Sequence, residues 1–169
     1  MLDGYLLLPA GAGPFPAIVA LHGCGGLYAQ KGPHQGDLTQ RHRDWGERLR
    51  AEGYVVLFPD SFGSRGVKEV CSLKPQPVQP GVERSRDTYG ALQYLQRLPF
   101  VLAQRVGLLG WSNGAMTVLE TLAKDTAARP AGLEHDFVVA VGFYPGCRAV
   151  EKRRDWWPVA PLCPFGNAV

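Results

Sequence analysis

Gly110-Trp111-Ser112-Asn113-Gly114 is the stretch that decides the fold of this chain. It lies between an apolar run, Arg105-Val-Gly-Leu-Leu109, and a run of helical spacing that starts at Asn113 and turns Met116, Leu119, Leu122 and Ala123 inward. A G-x-S-x-G set between a strand and a helix is a tight turn that lifts its serine out of the end of a sheet. Glycine stands on both sides because a side chain at Gly110 or Gly114 would collide where strand and helix cross closely. The same five residues also fit an ordinary strand-to-helix turn. The flanking elements and a second motif upstream point instead to a nucleophile.

Outward from this turn the chain alternates strand and helix patterns, which implies a mostly parallel, doubly wound α/β sheet covered on both faces. Ala17-Ile-Val-Ala-Leu21 and Tyr54-Val-Val-Leu-Phe58 are short apolar runs bounded by proline or glycine, as buried strands are. Between them a polar loop runs from Gly25 to about Thr39, and a helix carries Trp45 and Leu49 and closes at Gly53. Residues 61–81 are rich in Gly, Pro and Ser and read as a long surface loop beside the site. Tyr89, Leu92 and Leu95 mark a helix face, and Phe137-Val-Val-Ala-Val-Gly-Phe143 is the last clear strand. No repeat or linker divides the chain, so all 169 residues are expected to form a single domain.

The composition, 46% hydrophobic and 20% charged with a formal net charge of +3, is that of a globular protein. No basic stripe interleaved with aromatics suggests nucleic acid. No apolar run approaches the length of a membrane span. The first residues, Met1-Leu-Asp-Gly-Tyr-Leu-Leu-Leu8, lack a basic segment and a cleavage site, so a cytoplasmic protein is expected. Cys24, Cys71, Cys147 and Cys163 form no C-x-x-C pair, which argues against zinc, and free thiols are expected. Neither a metal nor an organic cofactor is implied.

A serine hydroxyl needs a base to accept its proton and donors to hold the oxyanion that forms on the attacked carbonyl. Ser112 is the candidate nucleophile. Leu21-His-Gly-Cys-Gly-Gly26 directly follows a buried strand and can aim backbone N–H groups above Ser112, so the N–H groups of Cys24 and Asn113 are the candidate oxyanion donors. A purely structural glycine turn is the competing reading. The Cys24 thiol reads as a packing group; a hydrolase using Cys24 as nucleophile is a further alternative.

The segments Pro14-Phe-Pro-Ala-Ile-Val-Ala-Leu-His-Gly-Cys-Gly-Gly-Leu27, Gly53-Tyr-Val-Val-Leu-Phe-Pro-Asp-Ser-Phe-Gly63 and Val106-Gly-Leu-Leu-Gly-Trp-Ser-Asn-Gly114 resemble the dienelactone hydrolase branch of the α/β-hydrolase superfamily. The resemblance runs from about Gly4 to Pro161. It implies an α/β-hydrolase fold, Ser112 as nucleophile, and Cys24 and Asn113 as oxyanion donors. Dienelactone hydrolases proper carry cysteine at the elbow, so serine here points to esterase-like members acting on small soluble esters.

In the superfamily the triad acid and histidine follow the nucleophile in chain order. Here Trp156-Trp-Pro-Val-Ala-Pro161 looks like the lead-in to the acid-bearing strand, and neither residue follows it, so a C-terminally shortened hydrolase is expected. Among substitutes for the base, His22 begins the oxyanion turn and is possible, though it more simply braces the loop. His34 lies in a loop at the same sheet end, His42 is expected to face solvent, and His135 belongs to the opposite end. Asp60 reads as a loop-bracing carboxylate, and Glu151 and Asp155 as parts of a solvated helix face. Arg65 is either a surface residue or a contact for a substrate carboxylate. A sheet ending at residues 137–143 would leave a bare edge. Self-association into a homo-oligomer through that edge is therefore expected, unless residues 159–163 cover it. The alternative function is a catalytically impaired hydrolase fold that binds a ligand or partner in its cleft.

Overall fold

The computed structural model describes residues 2–146, 148–151 and 153–166. Among the described residues six strands form one sheet: β1 (Asp3–Leu7), β2 (Phe15–Leu21), β3 (Val55–Asp60), β4 (Val101–Trp111), β5 (Ala140–Phe143) and β6 (Leu162–Phe165). Their order is β1-β3-β2-β4-β5-β6. Only β1 runs antiparallel to its neighbour, pairing Leu6 with Leu57; the other strands are parallel. The helices are α1 (Gln40–Ala51), α2 (Ser85–Gln96), α3 (Asn113–Leu122) and the short α4 (Arg148–Glu151).

The apolar runs fold as central strands because both of their faces find cover. Alternate residues of β2 and β4, Val19, Leu21, Val106 and Leu108, meet Tyr89, Leu92 and Leu95 of α2 and Val118 and Leu122 of α3 in one core cluster. The intervening residues, Ala20, Leu109 and Trp111, face the other side, where Trp45 and Leu49 of α1 pack against them. Helix α1 stops where expected: Gly53 adopts φ +88 just past its end, and Tyr54 N–H returns to the Leu49 carbonyl.

Three features depart from the sequence reading. Strand β1 forms from the start of the chain. The strand expected over 137–143 is regular only over Ala140–Phe143. The bare edge expected there is absent, because β6 pairs in parallel with β5 from Ala140↔Leu162 to Phe143↔Phe165. Within β6, Pro164 lacks an N–H to donate and is tolerated as on other edge strands. Stacked rings of Trp111, Phe143 and Phe165 tie β4, β5 and β6 together, with centroids 6.1 and 5.4 Å apart.

Helix α1 covers only part of its face. Beside it a groove of about 690 Å³ runs over β2, β4 and β5, lined by Ile18, Leu109, Val139, Val141, Phe143 and Phe165 among others. Val138, Val139 and Phe165 are each close to half exposed. Among the described residues no helix is long and apolar enough to cross a membrane.

Candidate active site

The chain leaves β2 for β3 on one side and later places β4 on the other side of β2. Such a reversal opens a crevice at the carboxyl ends of the two strands. Ser112 and the Cys24 turn both stand there, one after β4 and one after β2.

Ser112 is half-buried, with φ 53 and ψ −116. A non-glycine residue held in this region costs of order 1–3 kcal/mol and persists only where its surroundings enforce it. Here the enforcement is visible. Ser112 N–H donates to the Phe143 carbonyl on β5 at 2.9 Å, and the Ser112 carbonyl accepts from Met116 N–H at 2.9 Å, opening α3. The flanking glycines permit the crossing. A Cβ on Gly110 would lie 2.5 Å from the Gly114 carbonyl oxygen, and one on Gly114 only 2.2 Å from that of Leu21. Gly23 in the upstream turn faces the elbow across the crevice, its Cβ position 3.7 Å from Ser112 Cβ. Among the described residues neither Cys24 N–H nor Asn113 N–H donates to a protein acceptor. Asn113 N–H also opens α3, where the helix dipole favours negative charge.

The turn and the elbow are joined from below by Arg84, which sequence reading overlooked. Its guanidinium is fully buried. Nη2 donates to the His22 carbonyl at 2.7 Å, Nη1 donates to Asn113 Oδ1, and the group lies over the Phe62 ring at 5.1 Å. Burial pulls its pKa down to about 9, opposed by the charges of Asp87 and Asp60, so it stays cationic at neutral pH. Asn113 Nδ2 in turn donates to Gln76 Oε1 at 3.2 Å, tying in residues 61–79. Arg84 and Gln76 stand in polar stretches that carry no local mark of burial.

Cys24 and Cys71 form a disulfide, and Cys163 is free and exposed. This corrects the expectation of free thiols at Cys24 and Cys71 and removes Cys24 as an alternative nucleophile; Cys147 lies outside the described residues. The cytoplasmic placement loses support with it, since disulfides are rare in reducing compartments. Beside the bond, Val70 N–H donates to the Cys24 carbonyl at 2.8 Å, and Phe62, Val70 and Val78 form a small core beneath the loop.

The four histidines are engaged elsewhere. His22 is buried, with Nδ1 2.8 Å from the Gly23 carbonyl oxygen, an edge contact to Phe62 and Nε2 3.9 Å from Asp60 Oδ1. Burial, then the Arg84 charge, holds its pKa well below the ordinary range, so it is a neutral brace and a weak base. His34 sits at the surface 3.4 Å from Asp37. His42, expected in solvent, is buried between Phe58 and Trp111 and bonded to Thr39. His135 precedes β5, away from the elbow, and lies 3.7 Å from Glu134. Ser112 Oγ has no hydrogen-bond partner among the described residues.

Asp60 accepts from the N–H groups of Phe62 and Gly63, a loop brace. Arg65 is not open to a substrate carboxylate: it makes a two-pronged ion pair with Asp87 at 2.8 and 2.9 Å and bonds the Ser61 carbonyl. Glu151 and Asp155 are exposed. Among the described residues no group of three or more His, Cys, Asp or Glu is placed to hold a metal.

Comparison with known proteins bears on the family and the fold. The profile of the Dienelactone hydrolase family matches residues 2–153. A Synechocystis sp. protein named "Putative carboxymethylenebutenolidase" is 26% identical over 150 residues, 79% of this chain and 56% of that protein. The chain thus spans about half the length of this curated relative. Among solved structures, Thermogutta terrifontis esterase 2 phosphonylated by cyclosarin superposes with TM-score 0.62 at 18% identity, covering 98% of this chain and 65% of that one. A "Putative Dienelactone Hydrolase" from Klebsiella pneumoniae superposes with TM-score 0.61 at 17% identity, covering 85% of this chain and 54% of that one. The shared fold is that of the α/β-hydrolases.

Proposed function

This chain belongs to the dienelactone hydrolase family, and from that premise we propose that it hydrolyses small soluble carboxylic esters through an acyl-Ser112 intermediate. The observation that carries the reading is the strained Ser112 backbone, φ 53 and ψ −116, at the start of α3 and facing the Cys24 turn. In the reaction Ser112 Oγ bonds to the ester carbonyl carbon as its proton is released to solvent water, and the carbonyl electron pair moves onto its oxygen. Cys24 N–H and Asn113 N–H hold that oxyanion. The pair then returns, the alkoxide leaves and takes up a proton, and water repeats the addition on the acyl-serine to release the acid.

The Ser112 proton needs an acceptor, and none of the four histidines bonds Ser112 Oγ. For this chain alone the expected rate is therefore that of a hydrolase lacking its triad histidine. Donors and positioning then retain on the order of 10³–10⁴-fold over water. The same observation favours a second reading, a hydrolase fold that binds a ligand or partner in its cleft without turnover. A fluorophosphonate probe and p-nitrophenyl acetate separate the two. The enzyme reading expects phosphonylation of the Ser112 peptide and hydrolysis that disappears in Ser112→Ala. Equal hydrolysis by both proteins, with no labelled serine, removes it.

A further inference from the structure

The oxyanion donors assigned above come from two segments 89 residues apart, counted from Cys24 to Asn113. Their usefulness depends on being fixed relative to one another before substrate arrives, because the stabilisation comes from donors that do not have to reorganise. Among the described residues Arg84 is the one side chain that hydrogen-bonds both segments, the His22 carbonyl on one and Asn113 Oδ1 on the other. We propose that Arg84 is a positioning residue whose guanidinium fork locks the Cys24 turn and the Ser112–Asn113 elbow into a single oxyanion frame.

Three observations carry this. First, a buried arginine is costly, several kcal/mol before compensation, and among the described residues this one meets no carboxylate hydrogen-bond acceptor; its partners are a carbonyl and an amide oxygen belonging to the site. An arginine placed only to fill space would be replaced at less cost by an apolar side chain. Second, the backbone is shaped to deliver it. Residues Pro80–Arg84 form a wide π-type turn that runs into α2, leaving Arg84 buried at the junction. Such turns are rare and cluster at functional sites. Third, the fork acts on orientation. With the His22 carbonyl held inward, the planar trans peptide turns Gly23 N–H the opposite way, which sets the direction in which the chain enters Cys24. On the other side the fork fixes the Asn113 side chain, whose Nδ2 is held by Gln76. A lysine could supply the charge but not two donors in one rigid plane.

The proposal deepens the acyl-serine reading and rests on it for its catalytic consequence, whereas its structural core can be tested without turnover. Three proteins are compared with wild type: Arg84→Lys, Asn113→Ala, which keeps the backbone donor, and the double variant. Amide hydrogen exchange is followed peptide by peptide. The expected result is exchange faster by tenfold or more over residues 22–26 and 112–115 together, with β1 and β3 unchanged. The double variant should be no worse than the worse single one, as for two residues acting through one contact. Fluorophosphonate inactivation is then resolved into its binding constant and maximal rate. The rate should fall about 10- to 100-fold, less than loss of a donor itself, with the binding constant nearly unmoved.

Exchange that rises evenly over the molecule, or in only one of the two segments, overturns the proposal, as does an unchanged inactivation rate in folded Arg84→Lys. If Arg84→Lys does not fold, Asn113→Ala gives the same two readouts. If wild type is not phosphonylated at all, the acyl-serine reading fails, and the exchange pattern alone still decides whether Arg84 joins the two segments.

Discussion

The two faces of the sheet are built to different standards. On one, α2 and α3 close over β2, β3 and β4, and Leu92, Leu95, Val118 and Leu122 are wholly buried. On the other, α1 covers β3 and part of β2, and the surface of β4 and β5 opens into the 690 Å³ groove. Strand β4 belongs to both, and its two glycines record the contrast. A Cβ on Gly110 would lie 2.5 Å from the Gly114 carbonyl oxygen of α3, but one on Gly107 would meet nothing nearer than Val139 Cγ1 at 3.5 Å. Ser112 sits at the top of the closed face. Its unfavourable dihedrals require a neighbourhood with no room to relax, and only that face supplies one.

The largest expected effect sets these glycines against each other. Gly110→Ala forces strand and helix apart and should cost about 3 kcal/mol or more, with loss of Ser112 labelling. Gly107→Ala should stay within about 0.5 kcal/mol of wild type. Similar urea midpoints for the two would erase the distinction. Next, Leu122→Ala on the closed face should cost about 2–5 kcal/mol. Val139→Ala in the groove, where the side chain is already 45% exposed, should cost under about 1 kcal/mol.

A third test asks whether the α1 face is loose throughout, and His42 says that it is not. Burial lowers its pKa to about 4, with the Arg41 and Arg84 charges adding to the effect and a bond to the Leu27 carbonyl opposing it. The unfolded chain binds this proton near pH 6.5. Between the two values the unfolded state carries more protons, so stability is complete above about pH 6.5 and falls as pH drops towards 4. The loss reaches about 3 kcal/mol, and His22, shifted the same way, adds to it. His42→Gln should flatten the slope of urea midpoint against pH; an unchanged slope would mean that His42 is hydrated. The smallest expected effect is association of copies through the groove or the β6 edge. It should appear as a scattering mass that rises with concentration and falls back in Val139→Lys, and a constant monomer mass for wild type would count against it.

The closed face was legible because its signals are local. Gly110 and Gly114 bracket the serine, and Val106, Leu108, Tyr89, Leu92 and Leu95 alternate or recur with the right periods. What escaped depends on pairing at a distance. Strand β1 is a short antiparallel edge whose Asp3-Gly-Tyr-Leu-Leu7 shows no alternation. Strand β6 contains Pro164, which marks a loop in isolation. Cys24 and Cys71 meet across 47 residues without any spacing rule to announce them. Arg84 and Arg86 stand two residues apart in one polar run, Glu83-Arg84-Ser85-Arg86, and only the folded chain tells Arg84, buried, from Arg86, exposed. His42 was misjudged for the same reason, since its burial comes from Trp111 and Phe58 rather than from its own helix.

The bond between Cys24 and Cys71 has a bearing on how this protein must be made. Two hydrogens have to be surrendered to an oxidant before the loop that carries one partner is anchored to the turn that carries the other. A batch matured in a thiol-rich host would weigh two hydrogens more, and its Cys24 turn would lack that tether. Preparations of identical sequence could then differ in reactivity for no reason visible in their genes, and intact mass before and after thiol alkylation would sort them.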